Sequence, residues 1–131
     1  MRLRFVTRTR LSPDDAAERL VTMSAHRVPF TEIAQDGDSV LATTTLGPIV
    51  IPDNMTISPL ERSGKNVRGL ITKTGPVLEG TLAFAAVRTA RGTIIGWEQD
   101  IRFVSWPVLD PLLAIVMRIG YGIAFNGLLK A

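Results

Sequence analysis

Asp110-Pro-Leu-Leu-Ala-Ile-Val-Met-Arg-Ile-Gly-Tyr-Gly-Ile-Ala-Phe-Asn-Gly-Leu-Leu-Lys130 is the stretch whose reading decides the fold. Asp110 is a good N-cap, and Pro111 suits the first helical position, where its missing N–H costs nothing. Beyond them the run is apolar on almost every side. A helix of that kind must be covered by something large. The rest of the chain reads mostly as strands, so the expected cover is a curved antiparallel sheet wrapped around one long C-terminal helix.

A membrane span is the competing reading of the same stretch. Leu112 to Leu129 is 18 residues, near the lower limit for crossing a bilayer. Arg118 lies near its centre, at a cost of about 2.5–3.5 kcal/mol on insertion scales. Gly120, Gly122 and Asn126 lower its hydropathy further. No stable membrane insertion is therefore expected, and Arg118 is expected on the outward side of the helix.

Working outward from that helix, the chain opens on a strand, Leu3 to Leu11. Leu3, Phe5, Thr7, Thr9 and Leu11 alternate with Arg2, Arg4, Arg8 and Arg10, which puts the arginines on one face. An anion or nucleic-acid patch is one reading. The preferred one is the charged face of an edge strand, where charge discourages aggregation. Ser12-Pro13-Asp14-Asp15 then starts a helix that runs to about Ala25, with Ala16, Leu20 and Met23 as its apolar stripe and Ala17 and Val21 beside it. Pro29 closes that section, and His26, the only histidine, is read as a helix-end cap.

Strands follow at Thr31–Gln35, Ser39–Leu46, Ile49–Leu60, Val67–Thr74, Val77–Arg88 and Thr93–Ser105. The turns between them carry Gly37, Gly47-Pro48, Gly64, Gly75-Pro76 and Gly92. A bulge is expected near Pro52, and Glu61 to Asn66 reads as a polar turn. The architecture is one α+β domain over residues 1–131, with about six to seven antiparallel strands.

Composition narrows the functions. Hydrophobic residues are 46% of the 131 and charged residues 21%, enough for a true core. There is no cysteine, which excludes disulfides, thiolate metal sites and cysteine nucleophiles and is compatible with a cytoplasmic location. With one histidine, no His-pair metal site can form. The formal charge is +3, and no recognition helix accompanies it, so sequence-specific nucleic-acid binding is not expected. No phosphate loop, dinucleotide fingerprint or nucleophile elbow is present, and no cofactor or metal is expected.

The remaining candidates are inward-facing side chains. Parity places Ile95, Trp97, Gln99, Ile101 and Phe103 on one face of the last strand, with Glu98, Asp100 and Arg102 on the other. Leu78, Gly80, Leu82 and Phe84 form a similar face, as do Ile49, Ile51, Asp53, Met55 and Ile57. Met117, Tyr121 and Phe125 face them from the C-terminal helix. An apolar surface with a few polar groups is what a small-molecule site requires, and equally what a dry core contains. Asp53 is a candidate acid or base, because a carboxylate among apolar residues must be paired or protonated. A bulge near Pro52 turning Asp53 outward, or a structural hydrogen bond to backbone, is preferred. Lys73 shares parity with Val67, Gly69 and Ile71 and could pair with Asp53. Snorkelling to solvent is the preferred reading.

Five pieces of the chain carry a resemblance. They are His26-Arg27-Val28-Pro29-Phe30-Thr31, Asp53-Asn54-Met55, Lys73-Thr74-Gly75-Pro76-Val77-Leu78-Glu79-Gly80, the Trp97 strand, and Leu109-Asp110-Pro111-Leu112. In this order and spacing the chain resembles the helix-grip or START-like superfamily, also called SRPBCC. Within it, the chain is similar to the small actinobacterial proteins labelled polyketide cyclase/dehydrase-like. In such proteins an acid often follows the tryptophan by two residues; here Gln99 stands there. The resemblance implies a cavity between sheet and helix. Some members hold lipids, hormones or polyketides, and some cyclise polyketides.

Three readings result. The first is a binding protein that holds an apolar or aromatic ligand against Met55, Phe84, Trp97, Gln99, Met117 and Tyr121. The second is a cyclase- or dehydratase-like enzyme, with Asp53 as acid or base and Gln99 or Tyr121 orienting a carbonyl. The third is an interaction protein with a filled interior.

Overall fold

The computed structural model describes residues 2–22 and 30–104, together with Pro111, Leu112, Ile115, Arg118 and Ile119. Eight strands and one helix are seen among them. They are β1 (Arg2–Thr9), α1 (Pro13–Val21), β2 (Thr31–Asp36), β3 (Ser39–Leu46), β4 (Ile49–Ile57), β5 (Glu61–Ser63), β6 (Asn66–Pro76), β7 (Leu78–Thr89) and β8 (Gly92–Phe103).

All strands form one curved antiparallel sheet in the order β1-β8-β7-β6-β4-β3-β2, and β5 pairs with β6 beside that path. The expected six to seven strands thus become eight. The eighth is β5, a three-residue strand within the segment read as a polar turn. Polar composition hid it, because all three of its residues are exposed and only backbone pairing defines them.

Tight hairpins set the order. Gly37, Gly47 and Gly64 each hold a left-handed backbone in a two-residue connection, which leaves consecutive strands no choice but to pair. β1 pairs with β8 at the far end of the chain and forms one edge of the sheet; β2 forms the other. The arginines of β1 lie on its exposed face. Arg4 donates to Glu98 at 3.2 Å, and Arg2 lies 3.9 Å from Glu98 and 4.0 Å from Asp100. Acids on β8 therefore answer Arg2 and Arg4, as a charged edge strand requires. Exposed pairs of this sort add little stability.

Ser12 caps α1 by accepting from the Asp15 N–H at 3.1 Å, with Pro13 first in the helix and Asp14 and Asp15 in its first turn. Ala16, Ala17 and Leu20 are fully buried against β6 and β7, and Arg62 of β5 ties the outer side to Asp14 and Glu18 at 2.7 and 3.4 Å. The helix ends at Val21 rather than near Ala25. Thr22 leaves helical geometry and bonds back to the Glu18 carbonyl through both its N–H and its hydroxyl. Met23, His26 and Pro29 lie outside the described residues.

The long C-terminal helix as a whole also lies outside the described residues. Its five described positions are helical and exposed, Arg118 among them as expected. No helix among the described residues is long and apolar enough to cross a membrane.

Candidate inner-face site

The buried side chains of the sheet fall on one face, and the register aligns them in rows. Met55, Lys73, Gly80 and Ile101 make one row from β4 to β8. Ile57, Ile71, Leu82, Gln99 and Leu3 make the next, and Gly69, Phe84, Trp97 and Phe5 the third. The alternation expected for β8 holds at every position: Ile95, Trp97, Gln99, Ile101 and Phe103 are buried, while Glu98, Asp100 and Arg102 are exposed. The face expected for β4 holds only in part. Met55 and Ile57 are buried, but Ile49 is 54% exposed, because it begins the strand at the hairpin tip.

The centre of the third row is aromatic. Phe84 and Trp97 stack with ring centroids 6.0 Å apart and planes 11° from parallel. Gly69 makes this possible: a Cβ there would overlap the Phe84 ring, so the ring lies over bare backbone. The Trp97 indole N–H donates to Gln99 Oε1 at 3.0 Å, and both side chains are buried. Gln99 therefore spends its carbonyl on its neighbour. It does not offer the free donor–acceptor amide that parity alone implied.

The first row holds a buried ion pair. Lys73 Nζ donates to Asp53 Oδ2, with the Lys73 side chain 4% exposed and that of Asp53 13% exposed. This corrects two expectations. Lys73 does not snorkel, and Asp53 is not turned outward. The cause is a change of register between β4 and β6: Asn54 pairs with Gly75, but Met55 pairs with Lys73, so Thr74 is the extra residue. The irregularity falls two residues past Pro52, and Thr74 takes up the slack. Lys73 keeps its inward parity and meets Asp53 diagonally.

Burial pushes the Asp53 carboxyl above its ordinary value of 3.8, while the charge and hydrogen bond of Lys73 pull it down without cancelling the rise. Asp53 Oδ1 is buried and has no hydrogen-bond partner among the described residues. An orphaned buried acceptor of this kind calls for an explanation. No group of three or more metal-ligating side chains occurs among the described residues.

Four of the expected ligand-binding residues, Met55, Phe84, Trp97 and Gln99, thus share the inner face with Asp53. Met117 and Tyr121 lie outside the described residues, as do Phe125 and Trp106. Lys73 is the member that sequence parity offered and solvation arguments set aside. Its signal was the unbroken period-two run from Val67 to Gly75. Towards the β2 edge, an open concavity of about 740 Å³ is lined by residues of β2, β3, β4 and β6, among them Leu41, Asn54, Met55, Thr56 and Thr74. It reaches the inner-face set at Met55 and includes neither Phe84, Trp97 nor Gln99.

One antiparallel sheet of this order, with its buried face turned inward and a helix packed between β1 and β2 in sequence, is a START-like, helix-grip fold. Solved structures of the same type align over nearly the whole chain. Protein NE0264 from Nitrosomonas europaea aligns with a TM-score of 0.64 at 12% identity, over 98% of this chain and 91% of its own. Ara h 8.0201 aligns with a TM-score of 0.59 at 14% identity, over 94% and 91%. A point mutant of a Thalictrum norcoclaurine synthase, in complex with a transition-state analogue, aligns with a TM-score of 0.53 at 11% identity, over 92% and 90%. Neither a family model nor a curated protein sequence matches the chain. At these identities the likeness establishes the fold alone.

Proposed function

We propose that this chain is a cytoplasmic small-molecule binding protein. It holds an apolar or aromatic, lipid- or polyketide-like ligand between the inner face of the sheet and the C-terminal segment. Met55, Phe84, Trp97 and Gln99 form the sheet side of the site, and Met117 and Tyr121 the other. The observation that supports this most is the Phe84–Trp97 stack, set on one face with the buried polar groups of Gln99, Lys73 and Asp53. An aromatic platform with a few polar groups suits a ligand that is mostly apolar and carries some polar function. Pairing of Arg2 and Arg4 with acids of β8 argues against specific nucleic-acid binding.

The test is Trp97 emission in a Trp106→Phe background, titrated with N-phenylnaphthylamine and a panel of aromatic and lipid compounds. Binding should quench or shift that emission, and Trp97→Ala should weaken it. Native mass spectrometry of the purified protein should reveal a co-purified small molecule. A Trp97 signal unmoved by the whole panel, with no adduct in the spectrum, favours a filled interior instead.

The Lys73–Asp53 pair supports a second reading, a cyclase- or dehydratase-like enzyme in which Asp53 moves a proton. An acid whose affinity for protons is raised by burial is suited to that task. The norcoclaurine synthase bound to a transition-state analogue is an enzyme on this fold. Turnover of a poly-β-carbonyl thioester that is lost in Asp53→Asn but not in Gln99→Glu would support this reading over simple binding.

A further inference from the structure

We propose that the Lys73–Asp53 pair is the polar anchor of the inner-face site, and that it selects ligands bearing an uncharged donor–acceptor group such as an alcohol, phenol or carboxamide. This rests on the binding reading above and narrows it to a ligand class.

The pair is an incomplete hydrogen-bond network. The ammonium has three protons, of which one goes to Asp53 Oδ2. Among the described residues Lys73 has no second partner, and Asp53 Oδ1 has none. The pair therefore presents donors on one side and one acceptor on the other. A buried pair left in this state is costly, and a group that supplied both halves would complete it.

Charge decides which group fits. A carboxylate would gain from Lys73 but meet Asp53 Oδ1 at close range, with like charge in a region where water screens little. An amine would gain from Oδ1 and be repelled by Lys73. An ether can accept but leaves Oδ1 orphaned. A hydroxyl or amide accepts from Lys73 and donates to Asp53, and adds no charge. The partner of Lys73 on β7 is Gly80, so no β7 side chain stands opposite it in the register. Met55 pairs with Lys73 from β4 and supplies apolar surface next to the anchor.

The experiment uses four probes on one ring system: naphthol, methoxynaphthalene, naphthoate and naphthylmethylamine, measured by titration calorimetry against the full chain. Naphthol should bind about tenfold or more tighter than each of the others, the size expected of a hydrogen bond to a charged group. In Asp53→Leu with Lys73→Met, which keeps volume and leaves no lone charge, naphthol should lose that advantage and bind like methoxynaphthalene. Thermal melting checks that this double variant is folded. Methoxynaphthalene or naphthoate binding as tightly as naphthol overturns the proposal while leaving the binding reading intact. An advantage for naphthol that survives in the double variant overturns it too. Failure of all four to bind removes both.

Discussion

The Trp97 indole N–H donates to Gln99 Oε1 at 3.0 Å, between side chains two residues apart on the inner face of β8. Neither polar group has solvent to fall back on: Trp97 is 3% exposed and Gln99 0%. Removing the acceptor therefore takes a buried hydrogen bond from the indole. Gln99→Leu should cost about 1–3 kcal/mol in urea unfolding, the usual penalty for an unsatisfied buried polar group. Trp97→Phe in the Gln99→Leu background should cost less than it does in the wild type, because the bond between the two side chains is then already gone. Strict additivity of the two changes would show that the hydrogen bond contributes nothing.

Much of this was legible in the sequence, and what was not has physical causes. Period-two alternation located the inner face of β8 residue by residue, since a strand with one buried face admits no other register. Glycine turns located the hairpins. The same alternation failed at Ile49, where a hairpin tip leaves the core and burial no longer follows parity. It also could not weigh Lys73. Whether a lysine at an inward position is buried depends on an acid reaching it from another strand, and that depends on one extra residue, Thr74, in a pairing the sequence does not display. The Gln99 amide was placed correctly but given the wrong freedom, because its partner lies on its own strand and parity says nothing about side-chain hydrogen bonds.

The Lys73–Asp53 pair should behave as buried pairs do. Lys73→Met alone leaves a carboxylate buried without its partner and should cost about 3–5 kcal/mol. Asp53→Leu together with Lys73→Met should be close to wild-type stability, because desolvation of two charges is removed along with their attraction. Chemical unfolding of both variants checks this. A double variant as unstable as the single one would mean that the pair is a true stability element rather than a group kept for another purpose.

Asp53 also fixes a sign for the pH dependence. Its native proton affinity lies above the ordinary value of 3.8. Between that value and the native one, the folded protein keeps a proton that the unfolded chain has released. The stabilising contribution is fully present below the unfolded value and is lost as pH rises through the native one. Relative to Asp53→Asn, the wild type should therefore gain stability as pH falls through this window. Urea midpoints of the two proteins across the acid range measure the difference. A difference that does not change with pH would mean that attraction to Lys73 balances burial at Asp53, and a wild type that loses stability relative to Asp53→Asn on acidification would mean that the attraction outweighs it.

Glycines within the sheet separate backbone demands from packing demands. Gly80 sits in β7 with φ +142, and a Cβ there would run into the Asp100 carbonyl of β8. Both conformation and space exclude a side chain, and the obstacle is backbone, which cannot rotate away. Gly64 has φ +63 in the β5–β6 turn, but nothing lies within 4 Å of where its Cβ would be. Gly96 in β8 also meets nothing within 4 Å, and its backbone is of the ordinary kind. The three alanine variants should therefore differ in kind. Gly80→Ala should cost more than about 3 kcal/mol, combining backbone strain with a shifted β7–β8 ladder. Gly64→Ala should cost about 1–2 kcal/mol, the price of a left-handed alanine. Gly96→Ala should be neutral or stabilise by a few tenths, because the unfolded chain loses freedom and the folded one loses nothing. Thermal melts of the three give the order directly. Gly80→Ala no worse than Gly64→Ala would mean that β7 can shift against β8 at this position. The register that pairs Gly80 with Lys73 on one side and Ile101 on the other would then not be rigidly held.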